Sequence, residues 1–323
     1  MMMRRVALAC QLPSEVLEKF SEQFHLELIA GAGPGQRPSR SEILTALDGC
    51  DALVIAPPIL VDQPLLDGCP ESVKAIGTYS VGHDHIDLAA CRAKGMPVLY
   101  TPDVLTDAVA EIAMLLMLGA ARRVTESEAL VRSGQWAGWT PTQLVGHGLT
   151  GKAFGIYGMG RIGRAVAMLA KAFGMNIHTF DPRKKDNRNA DIAVVHQDLD
   201  GFLSTVDVLL LASPLNDETR YFLDKDKINL MKRSAIVVNV GRGDLIKDDD
   251  LIDALRNQRL FAAGLDVFSN EPKLDARYLD LSNVFMLPHI GSSTIETRVM
   301  MGQALISGLQ ELFAGREPVN RLA

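Results

Sequence analysis

The sequence predicts an α/β protein made of two doubly wound parallel-sheet domains with a cleft between them. Three observations point there. Short apolar runs alternate with helical patterns along the chain, the signature of parallel sheets carrying helices on both faces. The 323 residues suffice for about two hydrophobic cores. One stretch, Lys152–Asp181, reads as a complete strand–helix–strand unit of about thirty residues organised by three glycines.

Within that unit the apolar run Ala153–Tyr157 suits a buried strand. Gly158, Gly160 and Gly163 then follow with G-x-G-x-x-G spacing and open a helical pattern over Arg161–Phe173. A second apolar run, Met175–Phe180, ends at Asp181. The three glycines act differently. Gly158 permits a tight turn, Gly160 lets a pyrophosphate approach the backbone, and Gly163 lets helix and strand pack closely. The phosphates would rest on free amides at the helix N-terminus. Asp181 lies 18 residues past Gly163 (181 − 163), where a carboxylate can accept the hydroxyls of an adenosine ribose. A glycine-rich connection with no ligand is the alternative, and it leaves the placement of Asp181 to chance.

Ahead of this unit, Met3–Cys10, Leu26–Ala30, Asp51–Ile55 and Val73–Gly77 read as strands, and Pro13–Phe24 and Ser41–Leu47 as helices. Gly31–Pro38 is a loop. This smaller α/β unit ends near Pro102. Asp103–Arg122 is a long apolar helix that bridges to the dinucleotide unit. Ser133–Leu149 is a polar excursion containing Trp136 and Trp139. Beyond Asp181, strands are expected at Val206–Ala212, Ala235–Val240, Phe261–Leu265 and Val284–Leu287, and helices at Leu251–Gln258 and Thr294–Phe313. Polar residues recur where these strands finish: Ser213-Pro214, Gly241-Arg242-Gly243, Asp266 and His289. Ligands of open α/β sheets bind outside such carboxyl ends.

Composition is that of an ordinary globular chain, with 47% apolar and 22% charged residues. A net charge of −6 argues against a nucleic-acid surface. The basic cluster Arg183, Lys184, Lys185 and Arg188 is short and lies just past Asp181, as a phosphate contact would. The four cysteines, Cys10, Cys50, Cys69 and Cys91, include no C-x-x-C pair and read as buried free thiols of a reducing compartment. Arg4 and Arg5 before Val6–Cys10 imitate a signal sequence, but the apolar part is too short. No stretch approaches about 18 uninterrupted apolar residues. A cytoplasmic protein with no membrane partner is expected.

Reducing a 2-keto acid requires a hydride donor, a proton donor and a group to hold the carboxylate. His289 follows a strand end, and imidazole exchanges protons near neutrality. Glu271 beside it would favour the imidazolium. Arg242 offers a planar fork that matches a carboxylate and polarises the adjacent carbonyl. Each alone could be structural; their shared placement at strand ends beside a dinucleotide site makes them candidates together. His83-Asp84-His85 with Asp87 could suggest a chelate, but no further ligands are evident and hydride transfer needs no ion, so no metal is expected.

Six stretches carry a family resemblance: Tyr79–Asp87 (YSVGHDHID), Gly158–Ala167 (GMGRIGRAVA), Ala212–Thr219 (ASPLNDET), Val238–Ile246 (VNVGRGDLI), Gly264–Pro272 (GLDVFSNEP) and Leu287–Thr294 (LPHIGSST). In this order they resemble the D-isomer-specific 2-hydroxyacid dehydrogenases, especially glyoxylate and hydroxypyruvate reductases. The resemblance implies a Rossmann-type cofactor domain over 103–288 and a discontinuous flavodoxin-like substrate domain over 1–102 and 289–323, closing by a hinge. It implies Arg242, Glu271 and His289 as the catalytic set, with His289 the proton donor. Substrate contacts would come from backbone at Val81 and Gly82, from Arg242 and His289, and from Trp139 reaching into the pocket of a partner in a homodimer, the alternative being that Trp139 is buried in an arm-like dimer contact. Cofactor contacts would come from Thr106, Gly158, Met159, Gly160, Arg161, Ile162, Gly163, Asp181, Pro182, Arg183, Ser213, Pro214, Thr219, Val240, Gly241, Arg242, Asp266, His289 and Gly291, with Asp266 meeting the nicotinamide amide.

Asp181 favours NAD(H), since its charge repels a 2′-phosphate. Many reductases of this subgroup carry a neutral residue followed by arginine there, and the nearby Arg183, Lys184 and Lys185 keep NADP(H) open. The expected partner is a small 2-keto or 2-hydroxy acid. Phosphoglycerate dehydrogenase is the less favoured relative, as the chain leaves no room for a regulatory domain after Ala323. Formate and phosphite dehydrogenases share the scaffold. A dinucleotide-sensing scaffold like the family's co-repressors is the alternative of another class, though those carry long tails.

Overall fold

Strands that are apolar on both faces need cover on both faces, and among the described residues of the computed structural model the strands lie in two wholly parallel sheets. The structure describes residues 3–33, 35–57, 59–181 and 189–323. It divides into two units, Met1–Leu105 with Ser293–Ala323, and Thr106–Ser292.

In the first unit, β1 (Arg5–Leu8), β2 (His25–Leu28), β3 (Ala52–Ile55), β4 (Ala75–Thr78) and β5 (Val98–Leu99) stand in the order β2-β1-β3-β4-β5, the flavodoxin-like order. Its helices are α1 (Ser14–Ser21), α2 (Arg40–Ala46), α3 (Gln63–Gly68), α4 (Leu88–Ala93) and the returning α11 (Ile295–Phe313). α11 packs on α1 and on β4: Gly302 lies against Val16, and Leu305 against Gly77. The last residues then close the sheet edge, with the Leu322 amide donating to the Val98 carbonyl at 2.8 Å and Tyr100 donating to Asn320 at 3.0 Å.

The second unit holds α5 (Thr106–Ala121), α6 (Val124–Arg132), β6 (Ala153–Tyr157), α7 (Arg161–Ala172), β7 (Asn176–Phe180), β8 (Val194–Val195), α8 (Leu199–Thr205), β9 (Val208–Leu211), α9 (Lys225–Leu230), β10 (Ile236–Asn239), α10 (Asp248–Arg256), β11 (Ala262–Leu265) and β12 (Val284–Met286). The strand order is β12-β11-β10-β9-β6-β7-β8. Counted from β6, this is the dinucleotide-binding order with one strand added, and it reverses between β6 and β9. Alternation along β9 shows why these runs are continuously apolar. Leu209 and Leu211 enter the core on one face, while Val208 and Leu210 enter the core on the other. Each such side chain taken from water contributes about 1.5–3 kcal/mol.

Several boundaries move from their expected places for local reasons. The bridging helix begins at Thr106, because Asp103 adopts a left-handed φ of 67° and turns the chain first. α10 begins at Asp248, ahead of its apolar pattern, where Asp248, Asp249 and Asp250 complement the helix N-terminus. α6 buries no residue, so it has no apolar stripe for a sequence reading to find. The cysteines need correcting too: Cys50 and Cys91 are buried, but Cys10 and Cys69 are half-buried. Burial raises all four thiols, Cys10 to about 12 and Cys91 to about 11, which keeps them protonated and unreactive.

Between β7 and the residue after β8, His178 Nδ1 meets His196 Nε2 at 2.9 Å. Burial lowers both imidazoles below the ordinary histidine value. The neighbouring imidazole and Lys232 lower His178 further while Asp207 opposes, and Asp198 opposes the shift at His196. A depressed histidine stabilises the fold above its unfolded pKa and loses that contribution as pH falls through the folded value. Melting temperature should therefore drop more steeply from pH 7 to pH 5 in the wild type than in His178→Gln. Parallel curves for the two would contradict this account.

Candidate active site

The carboxyl ends of the second sheet gather most of the expected residues: Gly158 after β6, Asp181 after β7, Ser213 after β9, Gly241 and Arg242 after β10, Asp266 after β11 and His289 after β12. This edge is assembled by hydrogen bonds that the sequence pattern alone does not reveal. Fully buried Asn239 donates through Nδ2 to the Arg242 carbonyl at 2.9 Å and accepts the Gly241 amide at 3.0 Å. Its own carbonyl accepts the Asp266 amide at 3.1 Å. One asparagine thus sets the loop that presents Arg242. Its position at the end of a buried apolar strand, where an amide must be satisfied, was the available signal. Gly243 then lies so close to the Phe268–Ser269 backbone that a Cβ would overlap it, which presses the arginine loop onto the loop that carries Glu271.

Glu271 uses both oxygens. Oε1 accepts the Phe268 amide at 2.8 Å, and Oε2 meets His289 Nδ1 at 2.6 Å. Burial raises this carboxyl, but the His289 hydrogen bond and charge, the Phe268 amide and the Arg242 charge outweigh it and hold it below the ordinary glutamate value. Ionised, it can only accept, so Nδ1 carries the hydrogen and Nε2 is the nitrogen left for proton exchange. The His289 side chain is 44% exposed, enough to meet a small molecule. His289 has a left-handed φ of 55°, which costs roughly 1–2 kcal/mol outside glycine. Hydrogen bonds on either side of it hold that conformation. Its amide donates to the Asp266 carbonyl at 2.8 Å, and the Ile290 and Gly291 amides each reach an oxygen of the Asp266 carboxylate at 2.8 Å. Burial pushes the Asp266 carboxyl up against the opposing effect of those amides and His289. These bonds place His289 and Gly291 in the second unit, whereas the expected boundary put them with the returning segment.

The glycine turn behaves as a phosphate cradle must. Gly158 has a φ of 99°, and a Cβ there would lie 2.6 Å from the Ser213 nitrogen. Gly163 abuts the Gly158 carbonyl, while Gly160 faces open space. No side chain caps α7 at Gly160. Ser213 Oγ, buried beside the turn, has no partner among the described residues. Together these fit a dinucleotide, whose phosphates the α7 amides and Ser213 would hold and whose ribose Asp181 would meet. Of the other cofactor candidates, Met159 is buried and Arg161 and Pro214 are exposed, with Ile162, Val240 and Thr106 in between. Thr219 is spent inside its loop, donating to the Pro214 carbonyl at 2.7 Å and accepting the Asn216 amide at 2.9 Å. Pro182, Arg183, Lys184, Lys185 and Arg188 lie outside the described residues.

In the first unit, the turn after β4 is rich in donors. The Ser80 carbonyl accepts the Thr101 amide at 3.0 Å and the Gly82 carbonyl accepts Ser80 Oγ at 2.7 Å. The Val81 and Gly82 amides donate to no acceptor among the described residues. Two successive amides without an acceptor are groups that an anion could take. Asp87 Oδ1 caps α4 by accepting the Ala90 amide at 2.9 Å, and buried His85 contacts Thr78. No group of three or more potential metal ligands gathers among the described residues. Trp139 is 81% exposed, and Trp136 donates to the Gly138 carbonyl at 3.0 Å.

Residues 114–291 match the family described as D-isomer specific 2-hydroxyacid dehydrogenase, NAD binding domain. The chain belongs to the D-isomer-specific 2-hydroxyacid dehydrogenases. A glycerate dehydrogenase of Hyphomicrobium methylovorum is 38% identical over 322 residues, covering 99% of each chain. A glyoxylate reductase of Thermococcus litoralis is 37% identical, covering 98% of this chain and 96% of its own. Among solved structures, a glyoxylate reductase from Paecilomyes thermophila superposes with a TM-score of 0.87 at 30% identity, over 100% of this chain and 99% of that one. This 2-hydroxyacid dehydrogenase therefore uses a nicotinamide dinucleotide, and none of its described helices is long and apolar enough to cross a membrane.

Proposed function

We propose that the protein reduces small 2-keto acids, glyoxylate or hydroxypyruvate, to the 2-hydroxy acids, glycolate or D-glycerate. The observation that carries this reading is the Glu271–His289 contact at 2.6 Å, with the Arg242 charge acting on the same carboxylate. A reduced nicotinamide, when held by the glycine turn, would supply the hydride. His289 gives the Nε2 proton to the carbonyl oxygen, and Glu271 stabilises the imidazolium and fixes its orientation. Arg242 takes the substrate carboxylate and polarises the carbonyl, and the Val81 and Gly82 amides hold the carboxylate. The first unit serves as the substrate domain and the second as the cofactor domain. The names of the relatives support the substrate class. Initial rates with glyoxylate, hydroxypyruvate and longer 2-keto acids, against NADH and NADPH, test it; no turnover with any of them would refute it.

Asp181 supports NAD(H) as the cofactor. Asp181→Asn removes a charge facing the 2′-phosphate position, and like charges about 4 Å apart cost about 1–4 kcal/mol depending on screening. The variant should improve kcat/KM for NADPH relative to NADH by about tenfold. An unchanged ratio would mean that Asp181 does not read the ribose. Exposed Val131, Trp136, Trp139 and Val145 support a homodimer formed through α6 and the following segment, and the four free thiols support a cytoplasmic location.

A further inference from the structure

The turn that presents the Val81 and Gly82 amides is tied to the interior by three side chains that the mechanism does not use. Ser80 Oγ lies 2.7 Å from the Gly82 carbonyl, Thr78 Oγ1 lies 2.8 Å from Ser80 Oγ, and His85 Nε2 lies 2.9 Å from Thr78 Oγ1. The direction of every bond follows from counting hydrogens. A carbonyl can only accept, so the single Ser80 hydroxyl hydrogen goes to Gly82. Ser80 must then accept from Thr78, which uses up the single Thr78 hydrogen. Thr78 must therefore accept from His85, so Nε2 carries a hydrogen. Thr78 is fully buried and His85 nearly so, and in such surroundings successive hydrogen bonds polarise one another.

We propose that His85, Thr78 and Ser80 form a directed relay that holds the Gly82 carbonyl away from the anion site framed by the Val81 and Gly82 amides, and so sets the affinity for the carboxylate of the substrate. All three are positioning residues. This rests on the reading of that turn as the carboxylate site. Without the relay, the Gly82 peptide can rotate its carbonyl toward an incoming anion, which weakens ground-state and transition-state binding alike and raises KM more than it lowers kcat.

The test compares Thr78→Val, Thr78→Ser and Ser80→Ala with the wild type, using glyoxylate as substrate and saturating reduced dinucleotide. Thr78→Val and Ser80→Ala should raise the glyoxylate KM about tenfold, with kcat and the dinucleotide KM within twofold. Thr78→Ser, which keeps the hydroxyl, should restore the wild-type KM. An unchanged KM in Ser80→Ala, or equal effects of Thr78→Val and Thr78→Ser, would overturn the proposal; Ser80→Ala decides should Thr78→Val not fold. A second readout needs no turnover: nitrogen-15 NMR of labelled histidine should show His85 protonated at Nε2, and an unprotonated Nε2 refutes the relay. A wild type inert toward glyoxylate would overturn the functional reading and the affinity role with it, while the His85 signal still decides the relay.

Discussion

His289→Ala should lower kcat for 2-keto acid reduction by about a hundred- to ten-thousandfold, the usual contribution of a positioned acid, and leave the dinucleotide Kd nearly unchanged. The reason lies in how the ring is held. Glu271 takes Nδ1 at 2.6 Å, so the whole proton-transfer duty falls on Nε2, and alanine leaves no group to replace it. The backbone that frames the residue is fastened separately through Asp266 and should survive the change. Glu271→Gln should cost less than His289→Ala. Phe268 and Nδ1–H are met by different carboxylate oxygens, and glutamine keeps an oxygen at only one of those positions, so the ring loses its orientation more than its chemistry. Steady-state rates and a fluorescence titration with NADH separate the two effects. Retained turnover with lost dinucleotide binding would reverse the assignment.

Gly158→Ala is expected to be the most damaging change in the cofactor half. The φ of 99° alone makes a side chain strained by about 1–3 kcal/mol. The added methyl also meets the Ser213 nitrogen at 2.6 Å and the Ser213 Cα at 2.7 Å, backbone atoms of the neighbouring strand end that cannot swing aside. The turn must shift. If it withdraws two charge-assisted hydrogen bonds from the pyrophosphate, at about 1.5–3 kcal/mol each, dinucleotide affinity falls by about two to four orders of magnitude. Calorimetric titration measures this directly, and circular dichroism checks that the variant remains folded. A Kd within twofold of the wild type would show that the turn does not touch phosphate.

The cofactor half was legible because its signals are local: three glycines, two apolar runs and an acid within thirty residues leave few structures open. Four short helices were not, since six or seven residues show little of a helical stripe, and of the helices that short only α2 was anticipated. α3, α4, α8 and α9 each begin at an aspartate, Asp62, Asp87, Asp198 or Asp224, whose carboxylate accepts an amide three residues on. The N-cap rule would have found them, and it assigns Asp87 a structural duty in a motif that also invited a metal reading. The brace at Asn239 and the relay behind Ser80 stayed hidden for a different reason. They depend on which side-chain and backbone atoms a loop turns toward each other once it leaves its strand, and residue spacing does not encode that.

The closing of the first sheet by α11 and the residues after it also sets the order in which the protein can be completed during synthesis. The face of α1 at Val16, which Gly302 lets α11 approach closely, and the edge of β5 that Leu322 joins are made early, but their partners leave the ribosome after the entire second unit. At about 5–20 residues per second, the nascent first unit spends roughly 10–45 s with those apolar and hydrogen-bonding surfaces uncovered. The unit begun first is thus finished last, its sheet edge and the surface of α1 left open until the end of the chain arrives.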